Sequence, residues 1–286
     1  MIIMLLSFIF IYCCTLLGVS LFTYTVFWYE ACNSDHRDYL RQISRDRVGR
    51  WLARAIIGNF LSQNLVVLFF PLCFWRRLWD PRPDSTCPNP PVLLVHGLFH
   101  NASAWVIFRW VLRRRGFRNT YAISYNCFNT NFSALLQRLD REVQRLADLF
   151  PGQRIVMVGH SLGGLLAKAY VEDARNHDKI SALVTLGTPH QGSKLAALGV
   201  NRLVRSLIFK GELVEELQRR AEPSPAPKLS IYSPIDNLVL PNHSLQAAGP
   251  GWSCLESSPV SHIAMLHHRR LAVLVAEYLL VRAVQK

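Results

Sequence analysis

The chain has 286 residues, with 32 Lys and Arg against 19 Asp and Glu, a formal net charge of +13 and a pI near 9.8. Half of its residues are hydrophobic and its mean hydropathy is +0.15, which excludes a disordered polar chain and is high for a water-soluble domain. The basic balance comes without zinc-finger spacing, an RNA-binding aromatic signature or a basic tail, so an anionic lipid surface is the expected partner and nucleic acid is not. Seven scattered cysteines, Cys13, Cys14, Cys32, Cys73, Cys87, Cys127 and Cys254, form no metal-ligand pairs and imply no disulfide framework. A single bond involving Cys87, Cys127 or Cys254 stays open.

Met1 to Tyr29 carries no charged side chain and is long enough to cross a bilayer. A secretory signal is the rival reading, but no Lys or Arg precedes the run and no Ala-x-Ala site follows it, so a retained anchor is expected. Residues 31–54 then carry Arg37, Arg41, Arg45, Arg47, Arg50 and Arg54, interleaved at roughly helical spacing with Leu40, Ile43, Val48, Trp51 and Leu52. That pattern predicts a helix lying at a membrane surface, with a solvated helix packed on a neighbouring domain as the alternative. A second apolar stretch, Ala55 to Trp75, contains Asn59, Gln63 and Asn64, and it spans, dips in and returns, or covers the domain that follows. Residues 1–80 are thus expected to be a membrane-anchoring helical region with one or two apolar segments. The positive-inside rule places 31–54 in the cytoplasm, and the number of spans decides which face the rest of the chain occupies. Residues 81–91 read as a proline-rich linker.

From residue 92 to 286, strands and helices alternate, the pattern of an α/β domain with a mostly parallel sheet. Pro91–Leu98 is an apolar strand ending in His96-Gly97. Asn101–Arg115 reads as a helix whose Arg113-Arg114-Arg115 end suits a helix C-terminus, capped by Gly116. Tyr121–Tyr125 is a strand and Ala134–Phe150 an amphipathic helix. The strand Ile155–Val158 then runs into Gly159-His160-Ser161-Leu162-Gly163-Gly164 and a helix through Tyr170. A serine hydroxyl becomes a nucleophile only when a base takes its proton and the backbone holds it clear. A tight strand-to-helix turn flanked by small residues does the second, and aims the positive helix end at developing negative charge. Ile180–Leu186 is a further strand, leading to Gly187–Ser193. Residues 194–226 interrupt the alternation with an apolar stripe, Leu203, Val204, Leu207 and Ile208, which suits a lid or a surface helix equally. Lys228–Tyr232 and Trp252–Leu255 are the last strands, with Asp236 just beyond the first of them. Pro259–Leu266 leads into a C-terminal helix.

The run Val158–Gly164 resembles the nucleophile elbow of α/β-hydrolase-fold lipases and esterases, and the His96-Gly97 strand end is similar to one they carry. Gly187–Ser193, the Tyr-Ser-x-x-Asp turn at Tyr232–Asp236 and the Val-x-His-x-x-Leu-type turn at Val260–Leu266 resemble bacterial triacylglycerol lipases. The resemblance implies an α/β-hydrolase fold with Ser161 as nucleophile, Asp236 as acid and His262 as base. It also implies an oxyanion hole from the backbone N–H groups of Leu98 and Leu162, and no cofactor or metal. Leu98 and Leu162, with Leu203, Leu207 and Ile208, are expected to bring apolar side chains to an acyl groove. The competing bases are His243, His267, His268 and, less so, His190. His267 and His268 are expected within the C-terminal helix at the surface, and Glu256 is the backup acid. The expected protein is a serine carboxylic-ester hydrolase of the lipase/esterase kind acting on lipid esters, at a membrane and by the bacterial resemblance an inner one. Acyl transfer or thioester cleavage by the same triad, or a catalytically silent tethered module, are the alternatives.

Overall fold

A computed structural model describes residues 1–283, so residues 284–286 of the expected catalytic domain lie outside the described residues. The N-terminal third is helical: α1 (Ile2–Cys32), α2 (His36–Ser44), α3 (Val48–Phe69), a 3-10 turn at Phe70–Phe74 and the short α4 (Arg76–Trp79). By length and composition, α1 and the run Val48–Phe74 are each able to cross a membrane. α1 changes character along its length. Its first half is largely exposed, whereas Ser20, Thr23, Tyr24, Phe27 and Ala31 recur on one face and are buried. A polar seam joins it to α3: the Ser20 hydroxyl accepts from Asn59 Nδ2 at 3.0 Å and Gln63 Nε2 at 2.8 Å, and donates to the Leu16 carbonyl at 3.0 Å.

Residues 31–54 do not form the single surface helix that their spacing suggests. Arg45 and Asp46 take left-handed φ values of 53° and 58°, which end α2 and redirect the chain into α3. Leu40 and Val48, on either side of this turn, are buried with Tyr24, Phe27, Ala31 and Ala55 against Ile235 and Leu240. Ile43, Trp51 and Leu52 pack on the same cluster. The apolar face that was expected to meet lipid is instead occupied by the rest of the fold.

Beyond Pro91 the chain runs β1 (Val92–Val95), α5 (Val106–Arg114), β2 (Thr120–Ile123), α6 (Phe132–Leu149), β3 (Ile155–His160) and α7 (Leu162–Val171). It continues through β4 (Ile180–Leu186), α8 (Arg202–Ser206), α9 (Glu212–Arg220), β5 (Lys228–Tyr232), β6 (Trp252–Glu256) and α10 (Arg269–Arg282). All six strands are parallel, in the order β2-β1-β3-β4-β5-β6. β1, β3 and β4 are buried throughout, which explains their almost unbroken apolar sequences. α6 and α7 cover one face through Leu135, Leu139, Val143, Leu165 and Leu166. α5 and α10 cover the other through Phe108, Leu112, Leu271, Val275 and Leu279. Strand order reverses between β1 and β3, so the crevice beyond their C-terminal ends is where an open parallel sheet offers a site.

Four further features take definite form. The helix expected over Asn101–Arg115 begins as a 3-10 turn at Ala102–Trp105, capped by the Asn101 side chain accepting from the Ser103 N–H at 2.8 Å. Residues 194–226 form a 3-10 turn, α8 and α9, and Leu203, Leu207 and Val214 are buried, so the segment is packed down rather than standing free. All seven cysteines are free thiols, which removes the disulfide option. The proline-rich stretch is fastened to the domain, since the Asp84 N–H donates to Asn119 Oδ1 at 2.9 Å and Asn119 Nδ2 donates back to the Asp84 carbonyl at 3.0 Å.

The N-terminal helices are therefore expected to contribute to global stability. Phe27 is 0% exposed and Phe8 is 67% exposed on the same helix. Phe27→Ala should cost about 3–5 kcal/mol, and Phe8→Ala less than about 0.5 kcal/mol, in denaturant melts of the detergent-solubilised chain. Equal, small effects would mean that α1 does not belong to the cooperative unit.

Candidate active site

Ser161 follows β3 directly, with φ 55° and ψ −124°, a conformation a non-glycine residue adopts only under constraint. Two contacts impose it. The Ser161 N–H donates to the Leu186 carbonyl of β4 at 2.9 Å, and α7 begins at the next residue, pressed against the end of β1. A β-carbon at Gly163 would run into the Val95 and His96 carbonyls, so glycine there lets α7 approach the strand. Gly97 is similarly confined: a β-carbon would meet Ser161 Cβ at 3.0 Å. The ends of β1 and β3 thus lie side by side at the strand-order reversal.

Leu98 follows, and then Phe99 at a left-handed φ of 57°. Among the described residues, the N–H groups of Leu98 and Leu162 donate to no protein acceptor. Both are uncommitted backbone donors, one just past the end of β1 and one at the start of α7. His96, wholly buried, holds the strand end in place. Its Nδ1 donates to the Gly97 carbonyl at 2.8 Å, its Nε2 accepts from the Tyr125 N–H at 3.2 Å, and the Tyr125 hydroxyl donates to its carbonyl. Burial pushes the His96 imidazole down to about 4, so it is neutral.

Asp236 lies in the loop after β5 and is fully buried. Its Oδ1 accepts from the N–H groups of Leu238 and Val239 at 2.9 and 3.0 Å, and its Oδ2 from His262 Nδ1 at 2.7 Å. This leaves Nε2 of His262 free to accept a proton. Ser161 and His262 line one cavity of about 430 Å³. The Ser161 hydroxyl makes no hydrogen bond among the described residues, and Ser161 is part of the cavity lining. A row of rings continues from His262: His160 is 4.6 Å away centroid to centroid, its Nε2 donating to the His262 carbonyl at 3.1 Å, and His100 stacks on His160 at 6.3 Å. Burial first, then the neighbouring imidazoles, pushes His160 well below its usual value and His100 down to about 3.

The other candidates are elsewhere. His190 is buried between Thr185 and Ser230 rather than at a cavity mouth. His243 is beside the Phe209 ring, and Glu256 accepts from the Tyr39 hydroxyl at 2.7 Å. His267 and His268 precede α10 instead of lying within it, and His267 is held down to about 4 by burial. The acyl-groove expectation also changes. The Leu162 and Leu203 side chains are buried in the core and Ile208 is exposed, whereas Leu98, Val204 and Leu207 do line the cavity. Among the described residues, no cluster of three or more His, Cys, Asp or Glu is placed to hold a metal ion.

The N-terminal helices reach this site, which the sequence reading missed. Leu16 of α1 and Gln63, Val66 and Val67 of α3 form part of the cavity wall. The acid loop is held from the same side: Tyr24 OH donates to the Ile235 carbonyl at 3.2 Å and His36 Nε2 to the Pro234 carbonyl at 2.8 Å. Asn237 donates to Thr23 Oγ1 at 2.8 Å and accepts from the His262 N–H at 3.1 Å. The available signal was the scatter of polar residues, Ser20, Thr23, Asn59 and Gln63, within apolar runs.

Residues 92–281 match the model of the alpha/beta hydrolase family, more than half of the chain. The chain belongs to that family. "Probable esterase PIR7A" of Oryza sativa, from both the indica and japonica subspecies, is 30% identical to this alpha/beta hydrolase over 161 residues. That match spans 46% of this chain and 60% of the rice proteins, under two thirds of their length. The mature form of Bacillus licheniformis lipase BlEst2 has a similar structure, with a TM-score of 0.56, 19% identity and coverage of 71% of this chain and 96% of that one. Est1E from Butyrivibrio proteoclasticus, seen with ferulic acid bound, gives 0.54 at 17% identity, covering 71% and 93%. At these identities the two structures establish the shared fold.

Two imidazoles, His96 wholly buried and His100 half-buried where the cavity wall is, make stability depend on pH. His96 and His100 have folded-state values near 4 and 3, below the ordinary 6.5. Above pH 6.5 neither state carries the proton; below it the unfolded chain binds protons that the native site refuses, so stability falls. The loss runs down to the folded-state values and should be on the order of 2 kcal/mol per histidine between pH 6.5 and 5. Thermal melts should show it, and His100→Leu should make the slope shallower. An unchanged slope would mean that His100 is not held neutral.

Proposed function

We propose that the protein is a serine ester hydrolase acting on lipid esters at a membrane. The observation that carries this reading is the 2.7 Å Asp236–His262 pair facing the same apolar cavity as Ser161, whose backbone is held in a strained turn. His262 Nε2 takes the Ser161 proton as Oγ attacks the ester carbonyl, and the N–H groups of Leu98 and Leu162 bind the oxyanion. His262 then returns the proton to the leaving alcohol, and water, activated in the same way, releases the acid. Asp236 fixes the imidazole with Nδ1–H pointing away from serine. Its loop amides hold it in place in return.

The lipid part of the reading is supported by the cavity lining, which contains no Asp, Glu, Lys or Arg and is built largely from Leu, Val, Ala and Ile. Its exposed members are Val67, 50% exposed on α3, and Phe99, 42% exposed. A cavity opening beside a helix that is able to span a bilayer suits an acyl chain that never enters water.

Ser161→Ala should lower ester hydrolysis by about four orders of magnitude or more and abolish labelling by a fluorophosphonate, with an unchanged melting profile. His262→Ala should be comparably inactive and Asp236→Asn less completely so. Wild-type-like turnover by a folded Ser161→Ala protein would remove the assignment. In an ester series of increasing acyl length, kcat/KM should rise by up to about fourfold per methylene until the cavity is filled, since each buried methylene contributes about 0.8 kcal/mol. Leu207→Asp should flatten that rise. A series that peaks at acetyl would indicate a closed short-acyl pocket.

A further inference from the structure

A second cavity, of about 790 Å³, adjoins the first, and the two share Phe99 and His100. Its character differs, because polar and charged groups stand among an apolar lining that includes Phe70, Phe74, Phe128 and Leu135. Where the cavity at Ser161 is apolar and without charge, this one is lined by Ser124, Asn126, Asn129, Thr130, Arg138 and Arg141. No Asp or Glu is among its lining residues, and among the described residues neither arginine is in an ion pair. Arg138 and Arg141 are three residues apart on α6 and so share a face. The Arg138 guanidinium is held in place by donating from Nε and Nη2 to the Ser124 carbonyl at 3.2 and 3.0 Å, which leaves Nη1 and the charge uncommitted. Phe70 and Phe74, which continue α3 in the 3-10 turn, complete the wall, so α3 and its extension flank both cavities.

Two adjoining cavities, one uncharged at the nucleophile and one of mixed lining that carries two unpaired guanidiniums, match a molecule with an acyl chain at one end of an ester and an anion at the other. We infer that the Arg138–Arg141 cavity is a leaving-group site for phosphate, so that the substrates are phosphate-bearing glycerolipid esters. This rests on the ester-hydrolase reading above and narrows its substrate class. A phosphate takes charge-assisted hydrogen bonds from planar guanidiniums, and the amide and hydroxyl donors of Asn126, Asn129 and Thr130 suit its remaining oxygens and the glycerol hydroxyl. A neutral headgroup leaves both charges unused.

The test compares 1-acylglycerol 3-phosphate with 1-acylglycerol of the same chain, presented to the full-length protein in neutral detergent micelles. The phosphate ester should be favoured in kcat/KM by about tenfold or more, the size of one charge-assisted hydrogen bond. The preference should shrink as salt rises. Arg141→Gln and Arg138→Gln should each reduce the ratio between the two substrates, and Arg141→Lys should keep part of it. A water-soluble butyryl ester of glycerol 3-phosphate separates the sources. An equal preference on it assigns the site to phosphate esters in general, and a preference confined to long chains assigns it to a lipid headgroup. Binding of the same two lipids to Ser161→Ala reads the site without turnover. If wild type hydrolyses neither lipid but the variant binds the anionic one through the arginines, the hydrolase reading fails and the site stands. If both lipids are hydrolysed and bound equally, or the arginine variants leave the ratio unchanged, the phosphate site is overturned and the hydrolase reading stands.

Discussion

A carboxylate without access to water must be fully hydrogen-bonded or lose its charge, and Asp236 imposes that condition on everything around it. Two of its bonds come from its own loop and the third from His262, so the loop can take its shape only where the imidazole is present. The loop needs partners of its own for the carbonyls it turns outward. Those of Pro234 and Ile235 are met by His36 and Tyr24, from the N-terminal helices. Satisfying one buried carboxylate therefore ties together β5, the turn before α10, and the helices α1 and α2.

The same dependence changes what the N-terminal third is. An anchor in the simple sense would hold a domain near a membrane and leave its chemistry alone. Here α1 and α3 supply cavity wall through Leu16, Val66 and Val67, and Thr23 reaches the His262 backbone through Asn237. The exposed half of α1 and the buried half do different jobs within one continuous helix.

The alternation of strands and helices, the turn at Ser161 and the place of Asp236 just beyond β5 were legible because each is written locally: an apolar run, then a small-residue turn or an acidic residue where the run stops. The helix-forming face around Leu40 and Val48 was legible as amphipathic but not as to its partner. An apolar stripe states that it will be covered, and only the turn at Arg45–Asp46, invisible in the spacing, directs it to Ile235. The Leu162 side chain shows another limit. Its backbone position follows from the serine, but the side-chain direction is set by how α7 rolls against the sheet, and that places it in the core. A polar Thr23 within an apolar run signals that it has a partner, but not which one, because the partners of Thr23 and Tyr24 are more than 200 residues away.

That separation bears on the order in which the molecule comes together. The Ser20–Asn59–Gln63 seam links residues about 40 apart, whereas Tyr24 and Ile235 lie 211 positions apart. Contacts of such range become affordable only after most of the intervening chain has condensed, since the loop they close is otherwise too disordered. On loop-closure grounds the α1–α3 pair is the surface against which the loop of Asp236 closes. Anything that unseats α1 from α3 therefore reaches the Pro234–Asn237 loop and the His262 backbone as well, although neither is near it in sequence.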